Sequence, residues 1–350
     1  MLYSPKCEIN KENIVSELFL CSIKSVATII LASLPGFLLV RFKILNGESL
    51  RLIGKIVVYA ALPALLATKL ADSISLDTLS ELWIFPVSAA ISIFGAYGIA
   101  RFANLFLKEK SEFKGVLYTA SALGNAAYLP IPLIVAICAV FPYFSDKPDA
   151  AAKGITFISA FIVAFSPLSW IFGYNTISAK DHKIELKYFF PPPVIGIIIG
   201  MLIGMTPFLK NLFCTSDGFF YPLFESWRIV SAAAIPLAMI VLGGRFALPP
   251  QKASIPNKLI TAVATIKLFI LPSVAIGYVF LLRYWGIINN DPMIALIIII
   301  EAAVPPANNL ILMASMHKVN EHATAKTLFI CYTISTVTLT LFITLAMAIF

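Results

Sequence analysis

Few residues in this sequence can do chemistry inside an apolar setting, and they gather in two places. One is ALGNAAYLPIPL (residues 122–133, with the alanine at 122), which holds Asn125, Pro130 and Pro132. The other is EAAVPPANNL (301–310), which holds Glu301, Pro305, Pro306, Asn308 and Asn309. Proline inside a helix removes one backbone hydrogen bond and clashes with the preceding turn, at about 3 kcal/mol or more. In lipid the freed carbonyls have no water to turn to, so such breaks persist only inside protein or beside a wet cavity. A broken helix also exposes N–H donors at an end carrying roughly +0.5 charge, where an anion binds without a formal basic residue. The three Asn amides can complete broken backbone or hydrogen-bond a carboxylate. The alternative is structural: prolines that only shape packing, and an Asn125 that only bridges helices.

Glu301 is the acid that falls well inside an apolar run, ALIIIIEAAVPP. A carboxyl group at membrane depth is expensive and is therefore a functional candidate. It could carry a proton or cation that couples transport, or be a protonated, hydrogen-bonded structural residue. Lys24 and Lys267 also fall within apolar segments, where a long stem lets the ammonium snorkel to an interface. Asp72, Asp77 and Glu81 read as a solvated loop, with Lys69 and Asp72 able to line a vestibule.

Enzyme patterns do not emerge: there is no HExxH, no GxSxG and no phosphate-cradling glycine loop, and no cofactor is called for. His182, His317 and His322 show no metal-ligand spacing. The cysteines, at 7, 21, 138, 214 and 331, form no CxxC pair, and only Cys7 with Cys214 could share an outer face.

The elements that must position these residues are membrane helices. The chain is 59% apolar and 13% charged, against roughly half and a quarter in soluble domains. Its net charge of +8 is not a nucleic-acid footprint, because Lys and Arg sit between apolar segments without interleaved aromatics. About 20 apolar residues cross a bilayer, and ten such segments are predicted at roughly 16–40, 52–71, 82–106, 113–141, 154–177, 191–212, 222–247, 258–284, 292–316 and 323–350. The first is too long for a signal-peptide core. Sixteen Lys and Arg fall in the odd-numbered connections and six in the even ones. That bias places the odd connections in the cytoplasm and both termini outside or in a lumen.

A repeat runs through the chain. YAALPALL (59–66) answers AAAIPLAM (232–239), and the Pro130 region answers the Pro305 region at nearly the same offset. Five helices per half forces the halves to insert with opposite orientation. The expected organisation is 1–177 as one five-helix half, 178–189 as a short cytoplasmic connection, and 190–350 as the inverted second half. Gly196, Gly200 and Gly204 recur every fourth residue and predict one smooth face for close helix packing, with Gly243-Gly244 similar.

GNAAYLPIPLI (124–134), PPPVIGIIIGMLIG (191–204), AAAIPLAMIVLGGRF (232–246) and EAAVPPANN (301–309) together resemble the auxin efflux carrier family, most of all its PIN-LIKES branch. The resemblance covers nearly the whole chain. It implies an all-α membrane protein of ten helices in an inverted 5+5 repeat, with broken, crossing fourth and ninth helices and alternating access between a scaffold part and a mobile part. It implies small organic anions, such as indole-3-acetate, as substrates and a homodimer as assembly. By matching motif positions, Asn125 and Pro132 belong to the first crossover, and Pro305, Asn308 and Asn309 to the second. Departures are Leu310 in place of a second proline, Glu301 where Gln is frequent, and the short central connection. They point to an intracellular-type or more distant member, with the endoplasmic reticulum or another intracellular membrane expected over the plasma membrane. The leading functional expectation is an efflux carrier of small organic anions. The alternatives are a proton- or sodium-coupled exchanger using Glu301 and a non-transporting sensor.

Overall fold

A computed structural model describes residues 14–74, 82–108, 111–178, 190–248, 255–317 and 319–350. Cys7, Asp77, Glu81, His182 and the central connection from 179 to 189 lie outside the described residues, and so does the Cys7–Cys214 pairing.

Among the described residues every regular element is helical. In chain order they are α1 (Ile14–Arg41), α2 (Gly47–Ile56), α3 (Leu62–Ser73), α4 (Ile84–Leu107), α5 (Ser111–Ala122), α6 (Pro130–Val140), α7 (Pro142–Ser145) and α8 (Ala150–Ser178). The second part holds α9 (Pro192–Met205), α10 (Pro207–Cys214), α11 (Tyr221–Ala232), α12 (Ala234–Ala247), α13 (Asn257–Thr265), α14 (Leu271–Tyr284), α15 (Pro292–Ala303), α16 (Asn309–His317) and α17 (Glu321–Ile349).

Among the described residues, seven stretches are long and apolar enough to cross a membrane: Ser16–Arg41, Gly47–Asp72, Ile84–Leu107, Ala150–Ile177, Tyr221–Ala247, Asn257–Tyr284 and Glu321–Ile349. Their outer surface is apolar: Phe106 and Ile229 are each more than 70% exposed. The chain is therefore an integral, multi-pass, all-α membrane protein.

Prolines decide how the remaining segments are interrupted. α2 starts on Asn46, whose side chain accepts the Ser49 N–H at 2.8 Å. It runs into a π turn, Val57–Ala61, before Pro63 of α3. A matching π turn, Ile266–Ile270, precedes Pro272 of α14, and in both the next N–H reaches back to the carbonyl five residues earlier. The wider turn absorbs the bond a proline cannot make. The segment expected as one helix over 191–212 is instead two, α9 and α10, bent by 106°. Thr206 is extended (φ −104, ψ 105) because the ring of Pro207 drives its neighbour out of the α region.

The glycine face does what its spacing predicts. α9 lies against α3, with Gly200 so close that a Cβ there would fall 2.6 Å from the Ala67 carbonyl oxygen. Gly196 meets Pro63 and Gly204 meets Leu70 and Ile74. α1 and α12 approach likewise through Gly36 against Ile240 and Gly243 against Ser33. These contacts tie α1, α2, α3, α9, α11 and α12 into one packed set, while α4, α5, α8 and α13 to α17 pack on one another.

Candidate functional site

The two proline-broken segments meet. The segment expected over 113–141 ends its first helix at Ala122 and starts its second at Pro130; that expected over 292–316 ends at Ala303 and restarts at Asn309. Between the ends both chains leave the helix, the first turning over 126–129, and they pair antiparallel at Gly124 and Pro306. The Asn125 N–H donates to the Pro305 carbonyl at 2.9 Å, and the Ala307 N–H to the Leu123 carbonyl at 2.8 Å. Each break thus satisfies backbone groups of the other, which is how unwound chain survives at membrane depth. Two helix N-termini, those of α6 and α16, and two C-termini, those of α5 and α15, converge here.

Asn125 is buried and holds the crossing to a third element. Its amide donates to the Tyr332 hydroxyl on α17 at 2.6 Å, and its carbonyl accepts the Tyr128 N–H at 3.1 Å. The Tyr128 hydroxyl donates to the Gly54 carbonyl at 3.2 Å, reaching α2. Arg245, half-buried near the end of α12, lies within electrostatic reach of both phenols. Phe246 sets its ring edge-on to that of Tyr332, centroids 6.1 Å apart.

Pro130 and Pro132 are buried in the first turn of α6, and Pro305 and Pro306 are buried in the second break. Asn308 and Asn309 are half-buried at the start of α16, where the Asn308 carbonyl accepts the Ile311 N–H. A crevice brings the YAALPALL and AAAIPLAM segments to the first break. Its walls include Val57 and Leu65, Ala234 and Ala238, and Tyr128 and Pro132 of the crossover. The two halves of the YAALPALL/AAAIPLAM repeat therefore face the broken helix across one gap. That gap holds ≈ 10 Å³, room for about one water, so the crossover is closed to an organic molecule in this conformation.

Glu301 lies in the last turn of α15, 3% exposed, and neither of its oxygens has a hydrogen-bond partner among the described residues. Lys267 overturns the snorkelling expectation. It is fully buried on the π turn 266–270, with Nζ 2.8 Å from where a Cβ on Gly124 would lie. It does not reach an interface: that turn packs against α4, α5, α15 and α17, and none of the Lys267 side chain is exposed. Lys24 is half-buried on α1. Asp72 binds Arg228 of α11 at 2.8 Å, an ion pair about one-third exposed.

Sequence reasoning missed Tyr332, Tyr128 and Gly124. Tyr332 sits in an unremarkable run, CYTIST, and nothing local marks it as the partner of a residue 207 positions away. Gly124 adjoins Asn125 in the motif, but its use depends on a lysine from another segment.

A family model described as a membrane transport protein matches residues 21–343. Among curated proteins, the chain is 23% identical to Protein PIN-LIKES 1 of Arabidopsis thaliana, over 95% of this chain and 80% of that one. It is 21% identical to Protein PIN-LIKES 3 of the same plant, over 95% and 98%. An uncharacterized transporter of Methanothermobacter thermautotrophicus is 22% identical, over 83% and 87%.

Proposed function

This chain belongs to the membrane transport protein family, that of the auxin efflux carriers, and from that premise we propose that it is a secondary carrier of small organic anions. Weak acids of the auxin kind are the leading substrate class. The observation that carries this reading is the crossing itself: two broken helices joined at Gly124 and Pro306, beside a gap walled by two other proline-interrupted helices. Discontinuous helices of this sort are where secondary transporters bind anionic groups, through the positive ends of half-helices. Here those ends belong to α6 and α16, with the amides of Asn125, Asn308 and Asn309 beside them.

Alternating access follows from the closed gap. A carboxylate the size of an aromatic weak acid needs the packed set around α3, α9 and α12 to move against the crossover. The reading includes ten segments in two inverted halves, 1–177 and 190–350, with the fourth and ninth broken. No nucleotide site is needed, since one charge moved through 100 mV is worth about 2.3 kcal/mol.

The test is charge movement by purified protein in liposomes on a solid-supported membrane, with small carboxylates and a neutral amide analogue. A saturable current with the acids and none with the amide is the expected result. Retained binding in Asn125→Ala/Asn308→Ala would remove the crossover from the site.

A further inference from the structure

Lys267 lines no part of the crevice, and the anion-carrier reading leaves it without a task. It occupies a π turn, a form of helix that recurs at functional positions. That turn packs against α5, α15 and α17. The ammonium lies 2.8 Å from where a Cβ on Gly124 would be. Its electrostatic neighbours are Glu301 on α15 and Cys331 on α17. α5 adds Ser121, one turn before Gly124, whose hydroxyl is buried without a hydrogen-bond partner among the described residues. Lys267 Nζ and both Glu301 oxygens also lack such partners.

A desolvated ammonium and a desolvated carboxylate are each costly alone, and the charge of one offsets the other. A second negative source is the backbone. α5 ends at Ala122 and α15 at Ala303, and each C-terminus carries about −0.5 charge on unpaired carbonyls. In transporters with broken helices, such carbonyl ends coordinate the coupling cation. In this chain a side-chain cation, Lys267, lies beside these ends at Gly124, without a hydrogen bond to their carbonyls.

We propose that Lys267 is a tethered cation built into the crossover: with Glu301 as counter-charge, it takes the place a mobile sodium ion would fill, so that the carrier cycles without one. This rests on the crossover being the transport site. It gives Glu301 the task of compensating Lys267 instead of receiving a coupling ion, and it makes Lys267 a positioning residue that places a positive charge beside two half-helix ends.

The experiment uses the full chain. In detergent, Lys267→Ala leaves a space and an uncompensated carboxylate, so sodium or methylammonium should raise its melting temperature in a saturable way. The wild type should not respond, and Lys267→Ala/Glu301→Gln should lose the response. In liposomes, wild-type flux should be equal in sodium and in N-methylglucamine media. Lys267→Ala flux should be lost in N-methylglucamine and recover with methylammonium. Lys267→Arg should keep cation-independent flux.

Sodium-dependent flux in the wild type overturns the proposal. So does a folded Lys267→Ala protein that answers to neither cation, or that transports like wild type in N-methylglucamine. Should Lys267→Ala fail to fold, Glu301→Gln decides: it should lower the melting temperature more in the wild type than in a Lys267→Gln background, and equal falls overturn the pairing. Failure of the carrier reading is separate, since it shows as no saturable anion flux in the wild type, whereas the melting response needs no substrate.

Discussion

The backbone N–H of Asn125 donates to the carbonyl of Pro305 across 2.9 Å, joining residues 180 positions apart at the point where both their helices are interrupted. The reciprocal bond from Ala307 to Leu123 makes the crossing a two-stranded patch inside a helical protein. Each break therefore depends on the other, and a change at one is felt at both.

Asn125→Ala should lower stability and transport together. The substitution strands the Tyr332 hydroxyl and the Tyr128 N–H, which now pair with the amide. A buried polar group left unsatisfied costs about 1–3 kcal/mol. A melting curve of the purified variant checks this; a midpoint equal to wild type would mean that the amide holds nothing together.

Gly124→Ala should be costly where Gly95→Ala is not. A methyl on Gly124 would fall 2.8 Å from Lys267 Nζ and 3.1 Å from Val304 Cγ2, whereas Gly95 has nothing within 4 Å. Overpacking costs about 1–3 kcal/mol, and an open helical site gains about 0.5–1 kcal/mol from alanine. Melting temperatures of the two variants should move in opposite directions, and a shared direction would contradict the close approach of Lys267.

Gly200→Ala tests the contact between α3 and α9. The new methyl would lie 2.6 Å from the Ala67 carbonyl oxygen and 2.9 Å from Leu70 Cβ, and a backbone atom cannot swing aside. Destabilisation of about 1–3 kcal/mol is expected. Gly277→Ala, with open space around it, is the control. Both are read by thermal unfolding in one detergent.

Asp291→Ala should destabilise more than Lys153→Met. Asp291 caps α15 by accepting the Met293 N–H at 2.9 Å, and it also binds Lys153 Nζ at 2.6 Å. Losing a cap costs about 0.5–2 kcal/mol, while a partly exposed ion pair contributes about 0–1 kcal/mol. The reverse order of melting temperatures would show that the pair, not the cap, anchors this helix end.

Much of the fold was legible in the residues themselves. Apolar runs of membrane length, the proline pairs at 130/132 and 305/306, and glycines every fourth residue are local properties, each with a local physical consequence. Ala122 and Ala303 end their helices within a few residues of the quoted motifs, and Gly196, Gly200 and Gly204 face α3 as their spacing requires. The bend at Thr206 was also present in the sequence, in Pro207, but a single apolar run hid it.

What the sequence could not settle is which hydrogen bonds join the two interrupted chains, and what fills the space between them. Lys267 and Lys24 read alike, as long cationic side chains in apolar segments. Tertiary structure separates them, because α5, α15 and α17 close over one and leave the other half-buried on α1. Tyr332 becomes the partner of Asn125 only when α17 is laid against the crossing. Local sequence fixes where a backbone must break, since proline acts on its own turn. Where the freed hydrogen bonds and buried charges find their complements is a matter of long-range packing, and no run of neighbouring residues encodes it.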